Sequence, residues 1–190
     1  KRVVQVVLFV VLCALGIIYL NGAVQPNKDR AGIWRTFHKL ENNSLDVLFV
    51  GTSKIYTVFN PAYLWDKYHF TSYDIAGPML DPQTQYYYVK EVFKTQHPKV
   101  VVLDAYITTD KEPELRPMQK ENIVIMPFGL NKMSAILNNR IPAQEREKWL
   151  FPLEQYHSRF FTAGEIKKNN ILERNFKKEK KNVYFGYRAQ

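Results

Sequence analysis

A serine able to act as a nucleophile follows an apolar run in Asp46-Val47-Leu48-Phe49-Val50-Gly51-Thr52-Ser53-Lys54. The run is short and rich in β-branched and aromatic residues, which predicts one buried strand. Gly51 permits a sharp turn at the strand's end. Ser53 then emerges at the carboxyl end, where open α/β sheets carry their sites. A hydroxyl in that place attacks an acyl carbon if a base takes its proton and N–H donors hold the oxyanion. The same pattern arises when a serine only caps the next helix, and the sequence leaves both roles open. On a helix Lys54 would point about 100° away from Ser53, which argues against it as the base.

The other chemistry-bearing residues are scattered. The four histidines, His38, His69, His97 and His157, have no metal-ligand spacing, so no structural or catalytic metal and no cofactor is expected. His157 sits beside Arg159 in an aromatic–basic stretch and reads either as a substrate clamp or substitute base, or as a packed histidine. Asp104 follows the third predicted strand, where it can orient a base, bind a cation or cap a loop. Cys13 is the single cysteine, which excludes an intrachain disulfide and a cysteine metal site.

These residues need elements to hold them. After the strand at 46–50, Asn60-Pro61 is a helix start, with Asn as cap and Pro in the first turn, and the helix runs to Tyr68. Thr71 to Ala76 reads as a second strand ending at Gly77-Pro78. Asp81-Pro82 starts another helix, reaching about Thr95, with Tyr86, Val89, Val92 and Phe93 at helical spacing. Pro98 stops it. Lys99 to Tyr106 contains Val100-Val101-Val102-Leu103, whose unbroken apolarity predicts burial on both faces. Strand–helix–strand–helix–strand with short linkers predicts half of a three-layer, doubly wound, flavodoxin-like α/β domain with a parallel sheet. Lys111 to Pro127 is charged and proline-bearing, as in an insertion or lid. Asn131–Leu137 and Ala143–Leu150 read as short helices, Gly164–Phe176 as a polar helix and Asn182–Phe185 as a further short strand. The half-built sheet suggests an incomplete chain.

The chain has 190 residues, enough for one domain and an extra segment. A hydrophobic fraction of 46% argues against disorder over most of it. The net charge of +9 is concentrated near the end, in Lys167, Lys168, Arg174, Lys177, Lys178, Lys180, Lys181 and Arg188. Such a run is a solvated face or a contact for anionic polymer. No nucleic-acid motif accompanies it, and no nucleic-acid partner is expected. At the other end Lys1 and Arg2 precede an apolar run from Val3 to Leu20, interrupted by Gln5. As a helix it would span roughly 27 Å. The leading charges predict a cytoplasmic N-terminus with the bulk of the chain outside. Leu20-Asn21-Gly22-Ala23 is a poor cleavage site, favouring a single-pass signal anchor over a cleaved signal peptide. The expected organisation is an anchor at 1–22, a connector at 23–44, the α/β half-domain at 45–110, and a helical insertion or lid with a basic segment at 111–190.

Taken in order, Gly51-Thr52-Ser53, Phe59-Asn60-Pro61, Ser72-Tyr73-Asp74-Ile75-Ala76-Gly77 and Pro98-Lys99-Val100-Val101-Val102 resemble the SGNH/GDSL hydrolase superfamily over roughly Leu45 to Tyr106. The likeness is greater to its membrane-anchored bacterial branch, with D-alanyl-lipoteichoic acid transfer and polysaccharide acetyltransferase-like members. The Tyr156-His157-Ser158-Arg159-Phe160 segment and the anchor fit that branch. The resemblance implies an extracytoplasmic serine O-acyl esterase or acyltransferase acting on a cell-surface polysaccharide or teichoic acid. A multi-pass membrane acyltransferase is the implied partner. It makes Ser53 the nucleophile and one oxyanion donor, and gives the Gly77 N–H as a second. Two departures stand out: Asp104-Ala105-Tyr106 lacks the family's third-block asparagine, and no Asp-x-x-His follows the third strand, the one such spacing, Asp66-Lys67-Tyr68-His69, lying ahead of the second strand. The chain as given is therefore expected to be inactive or nearly so alone. The competing reading is a non-catalytic, membrane-anchored envelope protein that binds glycopolymer or a membrane partner.

Overall fold

A computed structural model describes residues 1–23, 28–105, 117–139 and 141–151. The chain divides into two units, residues 1–26 with 151–180 and residues 27–150 with 181–190. In the first, helix α1 spans Arg2–Ala23 and is apolar along nearly its whole length. Val3, Val4, Leu8, Phe9 and Leu12 each expose more than half of their surface. Side chains are described as far as Ile17, and among the described residues no helix is long and apolar enough to cross a membrane.

The second unit is built on a parallel sheet. Its elements are α2 (Lys28–Phe37), β1 (Val47–Gly51), α3 (Ser53–Val58), α4 (Pro61–Tyr68), β2 (Ser72–Ala76), α5 (Pro82–Val92), β3 (Val100–Leu103), α6 (Pro117–Val124), α7 (Leu130–Asn138) and α8 (Ala143–Leu150). The strand order is β2-β1-β3, with Val47 opposite both Ser72 and Val100. Alternation along each strand assigns the faces. Leu48, Val50, Tyr73 and Ile75 turn to one side and pack with Trp34 and Phe37 of α2 and Tyr87, Tyr88 and Val92 of α5. Phe49 and Ala76 turn to the other and meet Ile55 of α3, Phe59 and Leu64 of α4. The sheet thus lies between two helical layers. A separate cluster of Ile123, Ile136, Ile141 and Trp149 holds α6, α7 and α8 together.

Local chemistry fixes the helix starts. Asn60 Oδ1 accepts from the N–H groups of Ala62 and Tyr63 at 3.1 and 3.2 Å, with Pro61 in the first turn. Asp81 caps α5 through the Thr84 N–H at 2.9 Å, with Pro82 in its first turn. Both caps follow the sequence expectation.

Three expectations change. β3 is not buried on both faces: Val100 and Leu103 are 51% and 57% exposed, because β3 pairs only with β1 among the described residues and forms an edge. The stretch expected to be a connector at 23–44 carries a helix, α2, at Lys28–Phe37. Part of the expected lid is core, since Asn122, Ile123 and Val124 of α6 are fully buried. The segments at 106–116 and 152–190 lie outside the described residues; they include the polar helix, the further strand, His157 and Arg159.

Candidate functional site

The crossover from β1 to β2 runs through α3 and α4 on one face of the sheet, and that from β2 to β3 through α5 on the other. The chain therefore diverges at the carboxyl ends of β1 and β3, the switch point where open α/β sheets form clefts. Gly51-Thr52-Ser53 and Asp104 meet there.

Thr52 is the N-cap of α3; its hydroxyl oxygen accepts weakly from the Lys54 N–H at 3.4 Å. The Thr52 hydroxyl itself donates to Asp104 Oδ2 in a close contact. The Thr52 N–H donates to the same oxygen at 3.2 Å. Asp104 is anchored in turn: its N–H donates to Val50 O at 2.9 Å, and its carbonyl accepts from Gln85 Nε2 at 3.2 Å. A carboxylate on one strand end thus clasps the turn on the next. A Cβ on Gly51 would overlap Asp104 Cβ, so the glycine is required by close approach of the two strand ends.

The clasp decides one of the alternatives left open by the sequence. Thr52, not Ser53, is the cap. Ser53 is the first residue of α3 and half-buried. Among the described residues neither its N–H nor its hydroxyl has a hydrogen-bond partner; only its carbonyl is used, accepting from Thr57 Oγ1 at 3.0 Å. Lys54 is exposed, as its place on the helix requires.

Gly77 lies beside this turn, one residue past the Gly51–Ala76 pair. Its N–H, however, donates to Gly51 O at 3.0 Å, adding a rung to the parallel ladder. In this structure the N–H expected to serve an oxyanion is engaged inside the sheet. A Cβ at Gly77 would overlap Asn122 Oδ1. Asn122 Nδ2 donates to Pro78 O at 2.9 Å, and its buried Oδ1 has no partner among the described residues. An amide side chain thus stands against the Gly77–Pro78 corner, supplied by α6 rather than by the segment after β3.

Of the roles expected for Asp104, the structure describes its carboxylate as a clasp on Thr52 through Oδ2. The three described histidines lie away from the turn. His69 ends α4 ahead of β2, and His97 precedes β3, with Nδ1 2.7 Å from Asn43 Oδ1. His38 follows α2 and stacks on Trp34. His69 and His97 thus belong to the amino ends of the strands, roughly 16 Å of strand length from Ser53. Among the described residues no group of three or more His, Cys, Asp or Glu is placed to hold a metal.

Sequence reasoning passed over Asp74. It sits mid-strand on the α3/α4 face, fully buried, with neither carboxyl oxygen hydrogen-bonded. Burial raises its pKa to about 8. Its signal was an acid inside an otherwise apolar strand, in Ser72-Tyr73-Asp74-Ile75-Ala76. Thr52, Gln85 and Asn122 were missed because their roles depend on contacts across the fold. No family model matches the chain, and no curated protein or solved structure matches it.

Proposed function

We propose that this chain carries the nucleophile half of an SGNH-like serine O-acyl esterase or acyltransferase of the bacterial cell envelope, held to the membrane by α1. The observation that carries this reading is the placement of Ser53 at the β1/β3 switch point, on a turn clasped by Asp104, with its hydroxyl and N–H both unengaged among the described residues. In the reaction Ser53 Oγ attacks the acyl carbonyl and its proton passes to a base outside the described residues. The Ser53 N–H donates to the developing oxyanion. The acyl group then moves to water or to a hydroxyl of a polysaccharide or teichoic acid. What supports anchoring is the sequence, in which Lys1 and Arg2 precede the apolar run from Val3 to Leu20.

The test is covalent. A fluorophosphonate probe applied to the membrane-embedded protein should label it, and Ser53→Ala should abolish labelling while leaving the unfolding midpoint unchanged. Labelling that survives the substitution removes Ser53 from the role.

A second reading, a non-catalytic envelope protein binding glycopolymer or a membrane partner, is favoured by the engaged Gly77 N–H and by the distance of His69 and His97 from Ser53. Absence of labelling in the wild-type protein, with retained glycopolymer binding, would select it.

A further inference from the structure

Helices α5 and α7 lie side by side and antiparallel. Gln83 Nε2 donates to Asn138 O at 2.7 Å near one end of the pair, and Asn131 Nδ2 donates to Glu91 Oε2 at 2.8 Å near the other. The inner face of α7 is buried through Asn131, Lys132, Ala135 and Ile136. Its outer face carries Leu130, Met133 and Leu137, which are 78%, 40% and 57% exposed. Their i, i+3, i+7 spacing sets them in one apolar stripe. Along α5, Tyr86, Lys90 and Phe93 form a second exposed row at i, i+4, i+7. Exposed apolar side chains scattered singly are ordinary, whereas a grouped set marks a contact surface.

Two observations select what meets this face. The first is how few hydrogen-bonding groups it offers. The amides at the seam are already spent on one another's helices, with Asn138 Nδ2 also donating to the Tyr87 hydroxyl at 2.5 Å. A specific protein interface uses about one hydrogen bond per 100–200 Å²; the apolar layer of a bilayer uses none. The second is charge. Glu91 is the one carboxylate on the two helices, and it is buried and bridged to Lys94 Nζ at 2.6 Å. Lys90 is exposed, with its Nζ 5.5 Å from the Tyr86 ring centre. A second copy docked about a two-fold axis would set the same cations against themselves, whereas acidic headgroups complement them. Lysine and tyrosine bordering a Leu/Met stripe is also the mixture that rests at a bilayer surface, with apolar stems inward and polar tips in water.

We infer that the α5/α7 face docks on the surface of an anionic phospholipid bilayer, with Leu130, Met133 and Leu137 at the headgroup–acyl boundary and Lys90 and Lys94 against lipid phosphates. The inference rests on the membrane location proposed above and not on any role of Ser53.

The full chain in nanodiscs of phosphatidylcholine, with and without phosphatidylglycerol, tests this through quenching of a cysteine-attached NBD group by doxyl-labelled lipid. The native Cys13, exposed on α1, reports the anchor. In a Cys13→Ser background, Met133→Cys reports the α7 stripe, and Asp66→Cys, exposed on α4 in the opposite helical layer, is the comparison. With phosphatidylglycerol present, quenching at 133 should exceed that at 66, and it should fall when the acidic lipid is left out. Lys90→Gln should shift the docked-to-free ratio about fivefold toward free. Leu130→Ser with Leu137→Ser, both at exposed positions and so compatible with folding, should bring quenching at 133 down to that at 66. Equal quenching at 133 and 66, or quenching at 133 indifferent to phosphatidylglycerol, overturns the inference while strong quenching at Cys13 leaves the anchor standing. No quenching at Cys13 removes the membrane location and the inference together. Disulfide-linked dimers through Met133→Cys, with 133 shielded from the quencher, would make the face a contact between copies and overturn the inference. Failure of Ser53 to react with the fluorophosphonate would leave this result untouched.

Discussion

Replacing Asp74 by valine should stabilise the protein at neutral pH and abolish the steepest part of its stability–pH curve. Asp74 is fully buried without a hydrogen-bond partner, and its pKa rises from 3.8 to about 8 through burial alone. The folded state therefore holds a proton that the unfolded chain has released between those two values. Where the folded state binds the extra proton, stability falls as pH rises, by about 1.4 kcal/mol per unit. The stabilising proton is fully effective below pH 4, is lost through the interval, and contributes nothing further above pH 8. From 3.8 to 7 the accumulated loss is about 4 kcal/mol, a large part of the ordinary stability of a domain.

Valine removes the ionisation and suits a buried strand position. Urea unfolding of the full chain in detergent should be followed by tryptophan fluorescence at pH 5, 6, 7 and 8. Trp34 and Trp149 are both 3% exposed and report on two separate clusters. The wild type should lose stability steadily across this series, whereas Asp74→Val should be nearly flat and exceed it at pH 7. A wild-type curve that is level or rises from pH 5 to 8, or a variant that keeps the wild-type slope, would refute the reasoning.

Thr52→Val should cost about 1–2 kcal/mol of stability through loss of a cap and of its bond to Asp104, and should lower fluorophosphonate labelling of Ser53; paired unfolding and labelling measurements check it. Gly51→Ala should destabilise by about 1–3 kcal/mol because its methyl overlaps Asp104 Cβ, measurable as a lower urea midpoint. Lys132, 3% exposed and bonded to Val124 O at 2.7 Å, has its pKa lowered to about 8 by burial. Between about 8 and 10.5 the unfolded chain holds the extra proton, so stability should rise with pH there, and Lys132→Met should remove that rise in urea titrations from pH 8 to 10.

The alternation and capping signals were legible in the sequence because they act over a few residues. Asn60-Pro61 and Asp81-Pro82 each bring a side-chain acceptor and a ring with a preset φ to the same turn. The run Val100–Leu103 was recognisable as a strand, but its exposure was not, because apolarity alone does not distinguish a central strand from an edge. The position of Ser53 could be anticipated, while its freedom could not. That freedom depends on Thr52 taking the cap and on Asp104, 52 residues away, receiving its hydroxyl. Likewise the Gly77 N–H looked available as a turn glycine and is in fact consumed by one further rung of the β1–β2 ladder.

The engaged Gly77 N–H and the clasped Thr52 bear on the same question from opposite sides. A nucleophile turn must hold its serine steady while leaving the hydroxyl to its base, and the two hydrogen bonds from the Thr52 N–H and hydroxyl to Asp104 Oδ2 do this from the neighbouring residue. An oxyanion hole, by contrast, needs donors that are not already satisfied. At this turn the Ser53 N–H meets that condition and the Gly77 N–H does not. One donor and no nearby base among the described histidines give a serine that is presented but not activated. If Ser53 reacts, a second donor and the base must come to it from outside the described residues, and a phosphonate adduct would reveal them as the groups in contact with its oxygen.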